Sequence, residues 1–158
     1  MAGRLHFDRF IEKSYTVLSQ LDLLISNSGM NKLELGLIKI RTSQINNCDF
    51  CTAMHTHDAI HHGEDPQRIS ILNTWRDGRK WFSSEEQLIL ALLEEVTTIS
   101  DRGLSSEIYN AAVDTFGKEK TCKLIMAVAN VNGWNRIAVA AKTDLFGFSE
   151  TMTNKYYE

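Results

Sequence analysis

The amino-acid sequence predicts an all-α protein, with about seven helices in one multi-helix domain covering residues 1–158. Apolar residues recur at steps of three and four along most of the chain, and no alternating strand pattern is longer than a few residues. Residues that cap helices precede several of these stretches. A length of 158 residues fits a single domain that buries a sizeable core.

The first two predicted helices occupy the N-terminal part of the chain. Apolar residues between Phe7 and Ile25 form a continuous stripe, so we expect a first helix that ends at 26–29. Asn31 then fits an N-cap, and Glu34, three residues later, fits the second half of a capping box. The second helix is expected to run from there to about residue 42.

The third predicted helix contains two of the three cysteines and four of the five histidines. We expect Asn46 or Asn47 to cap it, which places both cysteines in its first turn. The positive end of a helix favours the thiolate, which is the nucleophilic form of sulfur. Cys48, Cys51 and His55 are spaced i, i+3 and i+7, so they share one helical stripe. This spacing suits a cysteine pair that forms a disulfide, with a histidine as proton carrier.

Helix-start signals also order the second half of the chain. Asp65 and Pro66 begin a fourth helix, with the aspartate as cap and the proline in the first helical position. Serines followed by acidic or apolar residues predict the starts of the next two helices. We expect the fifth, sixth and last helices at about 84–99, 106–117 and 119–141.

Composition limits the classes of partner. A net charge of −3, a pI near 6.0 and scattered basic residues do not indicate nucleic acid or an acidic membrane surface. Charged residues interrupt the apolar stretch 5–25, so we expect neither a signal peptide nor a membrane span, and a cytoplasmic location. Three cysteines are too few for a disulfide scaffold, so the Cys-x-x-Cys pair indicates redox chemistry or metal binding.

A specific motif occupies residues 43–55: Ser-Gln-Ile-Asn-x-Cys-x-x-Cys-x-x-x-His. This motif resembles the core of the AhpD-like alkylhydroperoxidases, in the carboxymuconolactone decarboxylase superfamily. The resemblance extends over about 5–143, through 75–76, 91–97 and 132–140. It implies an all-helical fold, trimers or hexamers, and a dithiol peroxidase or disulfide reductase without a bound cofactor. The expected partners are other copies of the chain, a small hydroperoxide or disulfide substrate, and a dithiol reductant.

The resemblance also implies roles for individual residues. Cys51 matches the peroxidatic cysteine, Cys48 the resolving cysteine, and His55 the histidine of a proton relay. The family usually places a relay glutamate twelve residues before the first cysteine, where this chain has Gly36. Glu34 lies roughly 200° around a helix from that position, so it is not a simple substitute. We therefore expect weaker peroxidase activity than in relatives that keep the glutamate. A glycine inside a helix also suggests a close approach of the backbone or of another subunit.

Two alternatives from other classes remain open. The first alternative is a zinc site. Four residues of the types that bind zinc lie within ten positions: Cys48, Cys51, His55 and His57. A structural zinc site usually takes its second ligand pair from a distant segment, which counts against this alternative. The second alternative is a non-catalytic helical module whose cysteine pair senses oxidation through a partner. In the most conservative interpretation, His55 is a core histidine. Cys122, in an apolar helix, is expected to be a small core residue.

Assembly is predicted from the two most apolar helices. The fifth and last helices are apolar around more of their surface than a lone domain needs, which together with the resemblance predicts a homotrimer or a dimer of trimers.

Several aromatic and polar residues are interpreted as packing and helix–helix hydrogen-bonding groups: Trp75, Asn132, Trp134, Asn135 and Arg136.

Overall fold

Helices account for most of the described chain. The computed structural model describes residues 7–143, and it contains no strand in that range, so the predicted all-α class is confirmed. Eight α-helices follow in order within these residues: α1 Phe7–Phe10, α2 Glu12–Ser26, α3 Lys32–Ile45, α4 Asp49–His61, α5 Pro66–Ser70, α6 Ser84–Thr97, α7 Ile99–Arg102 and α8 Ser106–Ala141. Short 3₁₀ turns at Leu72–Thr74 and Arg79–Trp81 connect α5 to α6. Within 7–143, no helix is both long and apolar enough to cross a bilayer.

The centre of the molecule is formed by α3, α6 and α8, and α4 packs along α3. Aliphatic side chains of the three central helices are inaccessible to solvent: Leu37, Ile38, Ile40, Leu90, Leu92, Leu93, Leu124 and Val128. Burying each of them contributes about 1.5–3 kcal/mol. The apolar run of α6 is thus covered mainly by α3 and α8 of the same chain, so this helix does not supply the exposed apolar surface expected of it.

Three predicted helix starts are confirmed. Asn31 Oδ1 accepts from the backbone N–H two residues later at 2.8 Å, and Asp65 does the same for α5 at 2.8 Å. Ser83 and Glu86 form the reciprocal capping box at the start of α6. These contacts satisfy backbone donors that have no partner inside the helix.

Some boundaries differ from the prediction. The first helix breaks at Ile11, whose φ and ψ of −134° and 45° are not helical, and α3 continues to Ile45. The fourth helix, for which the sequence predicts an end at Gly78, stops at Ser70, and two 3₁₀ turns follow it. The break expected at Gly117 is present inside α8, where this residue has a φ of 76°. Glycine adopts that left-handed conformation without steric cost, so the chain changes direction there.

The capping box predicted for α3 does not form. Glu34 accepts instead from Lys120 Nζ of α8, at 2.9 Å. The ion pair is partly buried, and a charged donor gives a stronger hydrogen bond than a backbone N–H. Glu34 therefore connects α3 to α8, and the ion pair with Lys120 replaces the capping-box hydrogen bond.

Candidate active site

The cysteine pair lies where α3 connects to α4. The helix α4 begins at Asp49, so Cys48 is itself the N-cap, and the prediction that Asn46 or Asn47 caps this helix is wrong. Asn46 is instead the C-cap of α3. Asn47 has a φ of 52°, a left-handed conformation that asparagine adopts more readily than most residues. This single left-handed residue allows α4 to start directly after α3 ends.

A disulfide joins Cys48 to Cys51, with their Cα atoms 5.2 Å apart. Each cysteine is only 3 % exposed. The backbone N–H of Cys51 also lies 3.3 Å from Cys48 Sγ, so this sulfur occupies the place that a capping oxygen usually takes. In the reduced protein, the helix dipole and this N–H would stabilise a thiolate at Cys48.

His55 lies one turn beyond Cys51 on α4 and is 8 % exposed. Side chains four residues apart on a helix are neighbours, with about 5–6 Å between their Cβ atoms. A histidine in this place can take a proton from the sulfur and return it to a leaving group. The structure therefore brings the three predicted site residues together, whereas His57, His61 and His62 are exposed.

A cavity of about 200 Å³ lies beside His55, between α2, α3 and α4. Asp58 of α4 and His62, the residue that follows α4, line it together with His55, and Gly36 and Lys39 line it from α3. Neither Asp58 nor Lys39 was predicted from the sequence to belong to the site. The signal that could have found Asp58 is its spacing from His55, since residues i and i+3 share a helix face.

Gly36 allows α3 and α4 to approach closely. A Cβ atom at this position would lie 3.2 Å from Ala59 Cβ, which is tighter than an ordinary van der Waals contact. The close approach predicted for this glycine is therefore confirmed. Any side chain at this position would require Ala59 to move by a few tenths of an ångström.

A buried polar network ties the cysteine-bearing connection to α8. Asn46 Nδ2 lies 2.9 Å from Asn132 Oδ1 and 3.0 Å from Asn135 Oδ1. Asn135 Nδ2 donates to Ser43 Oγ at 3.0 Å, and Arg136 donates to Asn132 Oδ1 at 2.8 Å. The interpretation of Asn132 and Asn135 as helix–helix hydrogen-bonding groups is confirmed, whereas Arg136 bonds to Asn132 of its own helix. The network holds in place the connection that presents the first cysteine.

Glu94 of α6 is the centre of a second polar cluster. Its carboxylate accepts from Arg41 Nε at 2.9 Å, from Trp75 Nε1 at 3.0 Å, and from Arg76. Burial alone would raise the pKa of Glu94, but the hydrogen bonds from Trp75, Arg76 and Arg41 outweigh it and hold that pKa below its ordinary value. The charged carboxylate connects α6 to α3 and to the turn after α5, which confirms the packing role predicted for Trp75.

Cys122 is exposed on α8, so the prediction that it is a small core residue is wrong. Its neighbours Thr121 and Leu124 take the inward positions on the helix, at 2 % and 0 % exposure. The helical period then turns Cys122 outward.

The four residues considered as zinc ligands do not converge on one point. In the described range 7–143, no three His, Cys, Asp or Glu side chains are grouped so that they could hold a metal ion.

An all-helical fold with a buried cysteine pair at a helix start, and a histidine one turn beyond, defines the class of AhpD-like helical proteins. The family model described as "Carboxymuconolactone decarboxylase family" matches residues 15–94, about half of the chain, including the cysteine pair and His55. This protein belongs to that family, as an AhpD-like member of the carboxymuconolactone decarboxylase superfamily.

Individual relatives support the assignment. The uncharacterised protein YdfG of Bacillus subtilis (strain 168) is 32 % identical over 140 residues, which is 89 % of this chain and 95 % of YdfG. The crystal structure of ATU0492 from Agrobacterium tumefaciens, a protein of unknown function described as a candidate antioxidant defence protein AhpD, has a TM-score of 0.86 and 27 % identity, covering 90 % of this chain and 97 % of that one. An uncharacterised peroxidase-related protein from Silicibacter sp. TM1040 shares the fold, with a TM-score of 0.71 and 21 % identity over 84 % of this chain and 68 % of that one.

Proposed function

We propose that this protein is a cytoplasmic, dithiol-dependent hydroperoxide reductase that acts in antioxidant defence without a bound cofactor. The observation that carries the proposal is the buried Cys48–Cys51 disulfide at the start of α4, with His55 one turn further on. The family membership and the similarity to ATU0492 support it as well.

The first half-reaction consumes the peroxide. His55 takes the thiol proton of Cys51, and the thiolate attacks the peroxide oxygen, so that an S–O bond forms as the O–O bond breaks. His55 returns the proton to the departing alkoxide, which leaves as an alcohol. Cys51 is thereby oxidised to the sulfenic acid.

The second half-reaction closes the disulfide and then reduces it. The sulfur of Cys48 attacks the sulfenic sulfur of Cys51; the S–S bond forms and the hydroxyl leaves with a proton as water. An external dithiol reduces the disulfide by two thiol exchanges and leaves as a disulfide itself. The net reaction converts one hydroperoxide and one dithiol into an alcohol, water and a disulfide. The 5.2 Å between the two Cα atoms is within the range of a disulfide, so both states require only local movement.

A free-thiol count tests the proposal. One equivalent of cumene hydroperoxide should reduce the free thiols of the reduced protein from three per chain to one, and peptide mapping should find the Cys48–Cys51 disulfide as the main product. Turnover should continue when dihydrolipoamide is supplied as the dithiol.

The control for this count is the double variant Cys48→Ser/Cys51→Ser, which measures the reaction of the exposed Cys122 alone. An unchanged thiol count in the natural protein, or a main disulfide that contains Cys122, would refute the proposal. Disulfide formation without peroxide turnover would point instead to disulfide exchange or to oxidation sensing.

We also propose that the chain forms a homotrimer or a hexamer, through surfaces other than α6. Val17, Leu23 and Leu24 on α2 are each more than 60 % exposed, and an apolar groove of about 310 Å³ lies between α2 and Ile137 of α8. Exposed apolar groups on adjoining helices favour association with another copy of the chain.

Light scattering at micromolar concentration should therefore report three or six times the chain mass of 18.0 kDa. The double substitution Val17→Asp/Leu24→Asp is expected to shift the protein to a smaller species, because it places charges on this surface. The matched control Ile99→Asp alters an exposed apolar residue on α7 and should leave the mass unchanged. A natural protein that is monomeric at this concentration contradicts the assembly.

A further inference from the structure

We propose that Asp58 is the positioning carboxylate of His55, and that it supplies from α4 the negative charge that α3 lacks at Gly36. The inference rests on the proposed function, in which His55 carries the proton. Asp58 touches neither the sulfur atoms nor the peroxide in this scheme, so it acts only through the histidine.

The placement of the two side chains is the first argument. His55 and Asp58 are three residues apart on α4, which puts them on neighbouring positions of one helix face. Both line the cavity between α2, α3 and α4, and Asp58 is half-buried there. A partly desolvated carboxylate beside an imidazole stabilises the imidazolium more strongly than one in bulk water.

The second argument is that the other nearby carboxylates are paired with lysines. Glu34 is held by Lys120 of α8 at 2.9 Å and does not line this cavity. Asp22 is held by Lys39 at 3.0 Å and by an asparagine of α8. Among residues 7–143, Asp58 is the one with a carboxylate that lines the cavity with His55.

The packing of the two helices explains why the charge comes from α4. A side chain on Gly36 would press on Ala59, because its first carbon would lie 3.2 Å from Ala59 Cβ. Asp58 is the residue next to Ala59, so its side chain can reach the cavity without separating α3 from α4. Position 36 therefore supplies no carboxylate to His55, but Asp58 supplies one from within one helical turn.

The charges around His55 set the expected sign. Asp58 favours the imidazolium form, whereas Lys32 and Lys39 from α3 and His62 after α4 disfavour it. The α2 residues that line the cavity are uncharged. Lys39 is already paired with Asp22, which weakens its effect. Loss of the Asp58 charge should thus lower the pKa of His55 and make it a weaker acceptor for the thiol proton of Cys51.

The test compares Asp58→Asn with Asp58→Glu, and uses Asp114→Asn, an exposed position on α8, as the matched charge control. NMR titration of the imidazole C–H signals, with His55→Gln to assign the resonance, should show the pKa of His55 lowered by about one unit in Asp58→Asn. Peroxide turnover at pH 7 should fall about tenfold in kcat with little change in KM, since one pKa unit is a factor of ten in proton affinity. Asp58→Glu should restore most of both, and Asp114→Asn should change neither.

An unchanged His55 titration and an unchanged kcat in Asp58→Asn would overturn the inference. Asp58→Ala provides a second neutral variant if the amide unfolds the protein, as circular dichroism would show. The titration does not depend on the substrate. If the natural protein fails to turn over peroxide, the proposed function fails, while the titration still decides whether Asp58 acts on His55.

Discussion

Replacing Cys51 by serine should abolish hydroperoxide turnover and leave a protein that forms no sulfenic acid, whereas Cys48→Ser should still react once and accumulate the sulfenic acid at Cys51. The loss in Cys51→Ser is expected to be complete within the detection limit, because no other thiol of the chain has a histidine one turn away on its own helix. Cys48→Ser should lose turnover as well, since it cannot close the disulfide.

Two physical effects compete in deciding which of the two cysteines attacks the peroxide. Cys48 is the N-cap of α4, and its sulfur lies 3.3 Å from the N–H of Cys51, so helix electrostatics favour the thiolate at Cys48. His55, however, is one turn from Cys51, and the leaving alkoxide needs a proton that only a nearby acid can supply. A stabilised thiolate at Cys48 is also the better leaving group when the disulfide is reduced, which suits the resolving role.

Sulfenic acid trapping distinguishes the two sulfurs. Each variant, in a Cys122→Ser background that removes the exposed thiol, is treated with one equivalent of hydroperoxide and a dimedone-type reagent, and labelled peptides are identified by mass spectrometry. The assignment fails if only the protein that retains Cys48 is labelled. Labelling of both variants to the same extent would mean that His55 confers no preference.

The helices were predictable because their signals are local. Apolar spacing and capping residues located the start of α6 at Ser83, the cap of α5 at Asp65 and the break at Gly117, and these depend on residues within one or two turns of each other. The three site residues were predictable for the same reason, since Cys48, Cys51 and His55 all belong to the start of one helix.

The parts that were not predictable depend on contacts between distant segments. Asn46 ends α3 and donates its amide to Asn132 and Asn135 of α8, so it does not cap α4. Glu34 does not close a capping box because Lys120 pairs with it. The sequence reveals neither pairing, since 86 residues or more separate the partners. The outward position of Cys122 likewise depends on how α8 is rotated against α6.

The same long-range packing makes Glu94 the position where a single substitution should cost the most folding stability outside the apolar core. Its carboxylate and the side chain of Arg41 are each only 16 % exposed. Glu94→Gln keeps the size and an acceptor for Trp75, but it leaves the Arg41 guanidinium without its counter-charge. Removing one partner of such a pair costs about 3 kcal/mol or more, because the remaining charge is desolvated without compensation.

This loss should depend on pH in a direction that follows from the lowered pKa of Glu94. A carboxylate whose folded pKa lies below its unfolded value, about 4.3, contributes its full stability above that value and loses it as the pH falls through the folded pKa. We therefore measure the free energy of unfolding in urea at fixed protein concentration. The natural protein and Glu94→Gln should differ strongly in this free energy at pH 7, and progressively less below about pH 4.3. Once Glu94 is protonated, the natural side chain is neutral like glutamine.

The control is Glu119→Gln, which removes a carboxylate that is also paired, with Lys123 at 2.7 Å, but that lies on the surface. The pKa of Glu119 is lowered by its hydrogen bond to Lys123 as well. Water replaces Lys123 there at little cost. The free energy of unfolding of this variant should therefore be close to that of the natural protein at every pH. Equal losses in both variants would show that burial of the Glu94 cluster adds nothing, and a Glu94→Gln loss that does not shrink in acid would show that the side chain acts through packing and not through its charge.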